Sequence, residues 1–301
     1  MYKLRDWIDV NKLDWFHLSY NPNAIDLLEK NLDKINWYNL SFNPFAIHLL
    51  HKNLDKINWS NLSLNSGAIS ILEKNIDKYI DKILSWYNLS LNPSAINLLE
   101  NNEEKIYCDL ILSNPSAMHL IEKNLKIILN SDYKTLSFLS LNPNAIPILE
   151  KNLDKIDWCY LSSNINAIDL LKKNIDKINW YHLSKNPNAI FLLENNLDNI
   201  YWSQLSRNYN AISILEKNMD KIEWECLSLN SSAMNLLEKN QHKINWRNLS
   251  QNPSIFELDY HSLKERCSLY KEELIQVALH PSRINKYLEQ GIDFDELDNY
   301  I

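Results

Sequence analysis

A 21-residue sentence repeats down this chain with a period of 22: Asn-Pro-Asn-Ala-Ile-x-Leu-Leu-Glu-Lys-Asn-Leu-Asp-Lys-Ile-x-Trp-x-x-Leu-Ser. It reads at Asn21–Ser41, Asn43–Ser63 and Asn186–Ser206. Tryptophan marks the beat at Trp15, Trp37, Trp59, Trp86, Trp158, Trp180, Trp202, Trp224 and Trp246, with Cys108 and Leu136 in the same place in two deviant units. The distance from Trp15 to Trp246 is ten periods of 22 plus 11 residues, and the excess falls before Trp86 and before Leu136. A fixed period of this size specifies stacked supersecondary units rather than a single central core. The expected fold class is therefore all-α: an α-solenoid of about eleven 22-residue units over residues 1–255. Residues 256–301 are expected to form a helical C-terminal cap and acidic tail.

Slots are numbered from the leading Asn of each unit. Slot 1 is Asn in all eleven, from Asn21 to Asn252, and slot 2 is often Pro (Pro22, Pro44, Pro93, Pro187). Asn followed by Pro reads as an N-cap and a first helical position. Apolar slots 4, 5, 8 and 12 then make one stripe of a helix A of about ten residues. Slot 4 is Ala in ten successive units, which predicts close helix approach. Slot 11 is Asn in the same ten units and is expected to end helix A in the left-handed conformation. Slot 13, usually Asp (Asp33, Asp55, Asp154, Asp176), is expected to cap a short α or 3₁₀ helix B. Helix packing at roughly 8–10 Å would make eleven units a curved rod on the order of 100 Å long.

The insertion near 76–86 keeps helical spacing through Ile76, Ile80 and Ile83 and predicts a longer helix B. The insertion near 125–136 predicts a helix and then a turn at Asn130, Ser131 and Asp132. Pro147 predicts a local kink. Near the end, Tyr270–Leu279 and Ser282–Gln290 read as two helices split by His280-Pro281, with Gly291 as a stop.

Most repeated side chains read as structural. The Trp row is expected to pack between consecutive units, since Cys and Leu replace it. The Asn rows are expected to cap, with an asparagine ladder bonding successive turns. The Glu row at slot 9 and the Lys rows at slots 10 and 14 read as solvated faces. His48 and His51 lie three apart on one helix with no recognisable third ligand, so no metal or other cofactor is expected. His17 and His182 share slot 19 with Asn39, Tyr160 and Gln204, a pattern of surface variation. There is no Gly-rich phosphate loop, nucleophile elbow or HExxH, and only two glycines exist, so the expectation is a non-enzyme.

Net charge −7 and a sequence pI near 5.6 argue against a broad phosphate-binding surface. The four cysteines form no CxxC pair and read as reduced residues of an intracellular protein. The N-terminus has no signal-peptide pattern, and no run of about 18 apolar residues suggests a membrane span.

The variable slots carry the functional expectation. Slots 18, 19 and 22 place Tyr38, Asn39, Phe42, Tyr87, Asn88, Tyr181, His182, Lys185, Gln204, Arg207, Arg247 and Asn248 on one changing face, the way solenoids present binding surfaces. A protein partner is expected there. A modular binder of RNA or single-stranded nucleic acid is the alternative, permitted by polar variable slots; a virion structural protein is a third.

The sentence Asn-Pro-Asn-Ala-Ile-x-Leu-Leu-Glu-x-Asn-x-Asp-Lys-Ile-x-Trp resembles repeat proteins encoded by giant DNA viruses of the mimivirus type. The ending Ala278-Leu279-His280-Pro281-Ser282-Arg283-Ile284, with Tyr287-Leu288 and Gly291, is similar to the tail of such proteins. The resemblance implies a viral protein acting as a scaffold or adaptor in the infected cell, in host cytoplasm or viral factory, or in the virion. It assigns no functional residues. The Asn-Pro pair is lost at Asn65-Ser66, Asn164-Ile165, Asn208-Tyr209 and Asn230-Ser231.

Overall fold

The structure, a computed structural model, describes residues 2–79, 85–130 and 133–291. It is an all-α repeat of short helices. Two compact units make up the chain: residues 5–255, and a second built from residues 1–4 with 256–301.

Each repeat starts as the sequence implies and then departs in detail. Asn21 is extended (φ −73°, ψ 121°) and its side chain accepts from the Asn23 N–H. The next three residues, Pro22–Ala24, form a 3₁₀ turn, and the α-helix proper is Ile25–Glu29. Helix A is thus a 3₁₀ turn running into one α turn, rather than ten α-helical residues. Asn31 at slot 11 does not enter the left-handed region; it sits at φ −138°, ψ 54°, and positive φ among described non-glycine residues does not occur. Its side chain ends the helix instead, with Nδ2 donating to the Leu27 carbonyl at 2.9 Å. The same bond recurs at Asn53, Asn75, Asn102, Asn152, Asn174, Asn196, Asn218 and Asn240. A side-chain donor satisfies an orphan carbonyl of the last turn without the strain of an αL asparagine.

Slot 13 is also reassigned. Leu32–Lys34 form a second 3₁₀ turn that contains Asp33, and Asn36 at slot 16 caps helix B, accepting from Asn39 N–H at 2.9 Å. Helix B therefore begins at the tryptophan: Trp37–Leu40 in this unit. Asp14, Asn58, Ser85, Asp157, Asn179 and Asn245 cap their helices likewise. The core lies between helices A and B. Leu28, Leu50, Leu72, Leu99, Leu171 and Leu193 from slot 8 are fully buried, as are Leu18, Leu40, Leu62, Leu183 and Leu205 from slot 20. The slot-4 alanines, Ala24 through Ala233, are buried to 1% exposure or less, which leaves no room for a larger side chain at the junctions.

Three hydrogen-bond ladders join successive units. Asn43 Nδ2 donates to the backbone carbonyls of Asn21 (2.9 Å) and Ser19 (3.4 Å), one unit back. All eleven leading asparagines are buried. Ser41 Oγ donates to its own Trp37 carbonyl and accepts the Asn58 N–H of the next unit at 3.0 Å. Asn39, Asn61, Asn88 and Asn248 at slot 19 donate to the preceding slot-18 carbonyls of Phe16, Tyr38, Ser60 and Glu225.

The ladders do not end. Asn21 Nδ2 donates to the carbonyls of Asn252 (2.9 Å) and Ser250 (3.0 Å), and the Asp14 N–H donates to Ser250 Oγ at 2.8 Å. The first unit thus repeats, on the last, bonds of the kind that join Asn43 to Asn21 and Asn36 to Ser19. Arg5 completes the seam: its N–H donates to the Ile255 carbonyl at 3.0 Å and its Nε to the Ser254 carbonyl at 2.7 Å. Lys12 stands over the Trp246 ring as Lys34 stands over Trp15. Slots 1–4 of the eleventh unit are accordingly Asn252–Ile255, and its remainder is the segment from Arg5 to Tyr20. Residues 5–255 form a closed ring, and this corrects the curved rod. A contour of about 100 Å closed on itself makes a circle on the order of 30 Å across at the helix axes. A closed ring presents no uncovered apolar end for a cap to cover.

In a ring, equivalent elements are closest together near the axis. Helices B of neighbouring units pack directly, as Trp202–Arg207 does on Trp180–Ser184 and on Trp224–Leu227. Helices A of neighbouring units touch through their 3₁₀ turns, as Pro93–Ala95 does on Pro115–Ala117, while their α turns are bridged by long side chains, such as His48 reaching Glu29. Helices B therefore line the inner side and helices A the outer.

The ladder of leading asparagines runs through both insertions: Asn92 bonds the Ser63 and Asn65 carbonyls, and Asn142 those of Leu112 and Asn114. The first insertion lengthens helix A, to Ile69–Tyr79, rather than helix B; Ile80 and Ile83 lie outside the described residues. The second is the helix Leu125–Leu129, ended at Asn130, with Ser131 and Asp132 outside the described residues. Pro147 produces no kink, because it lies in the first turn of Ile146–Glu150, where its missing N–H is not needed. Where Cys108 stands for tryptophan, a mostly apolar cavity of about 270 Å³ opens among Ile106, Ile111, Leu120, Ile121 and Ile128. Cys108→Trp is expected to fill it and stabilise the ring by about 1 kcal/mol, seen as a raised thermal midpoint; a lowered one would mean the neighbours cannot accept the indole.

In the second unit, Tyr2–Leu4 pairs antiparallel with Phe256–Leu258, Leu4 opposite Phe256. The helix expected from Tyr270 begins at Tyr260, because Asp259 caps it by accepting from the Ser262 N–H. The helix Pro281–Glu289 follows, and Gly291 (φ 84°) ends it.

Candidate interaction face on the inner helices

The twelve residues expected on one variable face all lie on helices B or directly after them, but they do different work. Asn39, Asn88 and Asn248 are rungs of the slot-19 ladder, with their amides committed to neighbouring carbonyls. They hold the face together rather than present it. Gln204 Nε2 donates to Tyr181 Oη at 3.0 Å, and His182 Nδ1 meets Ser163 Oγ at 3.0 Å. Burial, then the nearby Lys185 ammonium, holds the His182 imidazole below its usual value, with Asp157 opposing; it is the neutral form that fits this packing.

The exposed members are Tyr38, Tyr87, Tyr181, Lys185, Arg207 and Arg247, with Phe42 half-buried. The rings form a running aromatic surface. Phe42 lies edge-on to Tyr20 and to Tyr38, with centroids 6.0 and 6.1 Å apart. Phe138 stacks on Tyr160 (6.3 Å, 18° between planes), and Tyr160 leads to His182 at 6.5 Å, three consecutive slot-19 side chains in a column. Tyr20, Phe138 and Tyr160 extend the expected face; Tyr160 is read from the sequence at slot 19, and Phe138 shares that slot, obscured by the insertion that breaks the period before it. At the seam, Arg247 Nε approaches His17 Nε2 at 3.3 Å, and His17 Nδ1 meets Asp14 Oδ1 at 2.7 Å. Burial would raise the Asp14 carboxyl, but hydrogen bonds from the His17 backbone and ring, with the His17 and Arg247 charges, leave it below the ordinary range.

Two expectations about repeated residues change. The tryptophans are not uniformly core: Trp59 is buried, but the others in the row are partly exposed. The slot-14 lysines are not simply solvated. Lys12, Lys34, Lys56, Lys105, Lys177, Lys221 and Lys243 each place their ammonium 4.6–5.0 Å from the ring centroid of the tryptophan one unit back. Such a cation–π contact contributes about 0.5–1 kcal/mol at an exposed site, and it covers the ring face that stacking leaves open.

His48 is paired with Glu29, and among the described residues no group of three or more potential metal ligands occurs. All four cysteines are unpaired. Burial and Asp157 push the Cys159 thiol up, with Lys185 opposing. Among the described residues, no helix is long and apolar enough to cross a membrane. No family model, no curated protein and no solved structure matches this chain.

Proposed function

We propose that this protein is a non-enzymatic scaffold or adaptor that holds a protein partner on the inner, helix-B face of its ring. The observation that carries the proposal is the division of labour along each helix B. Slots 17, 20 and 21 repeat almost without change, while slots 18, 19 and 22 vary and expose Tyr38, Tyr87 and Tyr181 beside Lys185 and Arg207. Aromatic and arginine side chains on a rigid support are what binding hot spots are made from. The resemblance to giant-virus repeat proteins supports placing this activity in an infected cell.

The test is capture of partners by the tagged protein from infected-cell lysate, with and without nuclease. A discrete protein is expected to survive nuclease, and the double variant Lys185→Glu, Arg207→Glu to bind it at least about tenfold more weakly. Unchanged affinity in that variant counts against this face. One observation favours a second reading: the Phe138–Tyr160–His182 column offers stacking surfaces for bases. Loss of every partner on nuclease treatment would move the assignment to RNA or single-stranded DNA, against the net charge of −7.

A further inference from the structure

Among the described residues, the junction at Trp180 lacks the lysine that its tryptophan would receive elsewhere. In the unit that begins at Asn186, slot 14 is Asn199, so the cation that stands over the preceding tryptophan in seven other junctions among the described residues is missing over Trp180. The same unit departs from the repeat at slot 16, where Tyr201 replaces the usual Asn or Asp cap and helix B has no side-chain cap bond. Both departures face one cavity. It has a volume of about 400 Å³ and is lined by Trp180, Tyr181, Asp198, Asn199 and Tyr201. The Tyr181 and Tyr201 rings meet edge-on, with centroids 5.4 Å apart and planes at 80°.

The ring contains a filled counterpart. At the Trp86 junction, Tyr87 and Tyr107 occupy the same slots and meet in the same way, at 5.5 Å and 74°. There slot 14 is Lys105, with its ammonium 5.0 Å from the Trp86 centroid, and slot 13 is again acidic, Glu104 in place of Asp198. The two junctions share three aromatic rings and a carboxylate. They differ in whether the chain supplies its own cation.

We propose that the cavity at Trp180 binds an alkylammonium group from outside the chain, seated over the indole where lysine sits in the other junctions. Trp180 supplies the π face, Tyr181 and Tyr201 supply the walls, and the Asp198 carboxylate supplies the counter-charge. A cation over tryptophan flanked by further rings is the arrangement that recognises lysine-type and methylated ammonium groups. Two sources present that chemistry: a free amine, or a lysine side chain carried by another protein. The inference stands whether or not the inner face binds a protein.

The experiment follows the ¹⁵N indole resonances of the full chain, with Trp180 identified by Trp180→Phe. Butylammonium chloride is titrated against a sodium chloride control. The Trp180 indole resonance alone is expected to shift and to saturate. Asn199→Lys restores the residue of the other junctions, so the ring should fold, and it should abolish the shift or weaken binding at least about tenfold. Lys105→Asn should create a second responsive indole, Trp86. A Trp180 resonance that moves no more than in sodium chloride, or that responds equally in Asn199→Lys, overturns the proposal. A parallel titration with acetyl-Gly-Lys-Gly-amide separates the sources: tighter binding than butylammonium assigns the site to a lysine side chain, and weaker binding assigns it to a free amine.

Discussion

Replacing Asn21 by leucine is expected to destabilise the ring by about 3 kcal/mol, and Asn186→Leu by the same amount within about 0.5 kcal/mol. The two positions are far apart in sequence and equivalent in the fold. Asn186 accepts the Asn188 N–H and donates to the carbonyls of Asn164 and Ser162. Asn21 accepts the Asn23 N–H and donates to the carbonyls of Asn252 and Ser250. Leucine keeps the branched heavy-atom shape but is bulkier and carries no polar atoms, so overpacking adds to the loss at the buried backbone groups, which forfeit their partners at about 1 kcal/mol or more each. In an open solenoid Asn21 would be at a free end and its two donor bonds would be to water, so its replacement would cost little. Urea unfolding of both variants reads the difference directly; a cost at Asn21 under about 1 kcal/mol would mean the seam is not closed in solution.

Leu205→Ala is expected to cost about 3 kcal/mol, within the range for a fully buried leucine whose cavity cannot collapse. Leu205 has no exposed surface and sits at slot 20, on helix B of its unit. The form of the transition is as informative as its midpoint. A linear repeat frays from its ends, so damage to one unit can leave the remainder folded. A closed ring has no ends, and opening any unit breaks two junctions at once. The urea midpoint should fall while the slope of the transition stays unchanged. A broadened transition, or slow hydrogen exchange persisting in units distant from Leu205, would show that the units unfold separately.

The repeat made much of this legible beforehand. The period fixed the unit, the Asn-Pro pair fixed where each unit starts, and slots 4, 8 and 20 fixed the core, because these are local consequences of capping chemistry and apolar spacing. The errors arose where two local mechanisms satisfy the same need. An asparagine after a helix can end it by adopting αL or by turning its amide back onto a carbonyl, and slot 11 takes the second course. Either Asp at slot 13 or Asn at slot 16 offers an N-cap, and the 3₁₀ turn at slots 12–14 decides for slot 16. The slot-14 lysines read as solvated because their aromatic partner lies one unit earlier, at a distance in space that a single unit does not reveal.

The candidate face divides in the same way. Which slots vary was visible from the chain alone. That Asn39, Asn88 and Asn248 are rungs and not contacts depended on where the neighbouring carbonyl lies. Ring closure depended on the tertiary structure entirely. Eleven junctions must share a full turn at about 33° each, and an error of about 3° per junction would leave the ends a whole unit apart. That angle is set by how far the inner helices B approach relative to the outer helices A, a difference of packing distances summed over every junction. The amino-acid sequence determined the unit and its capping and core residues through short-range chemistry. Only the assembled structure decided that Asn21 meets Asn252, because that contact depends on the sum of all the others.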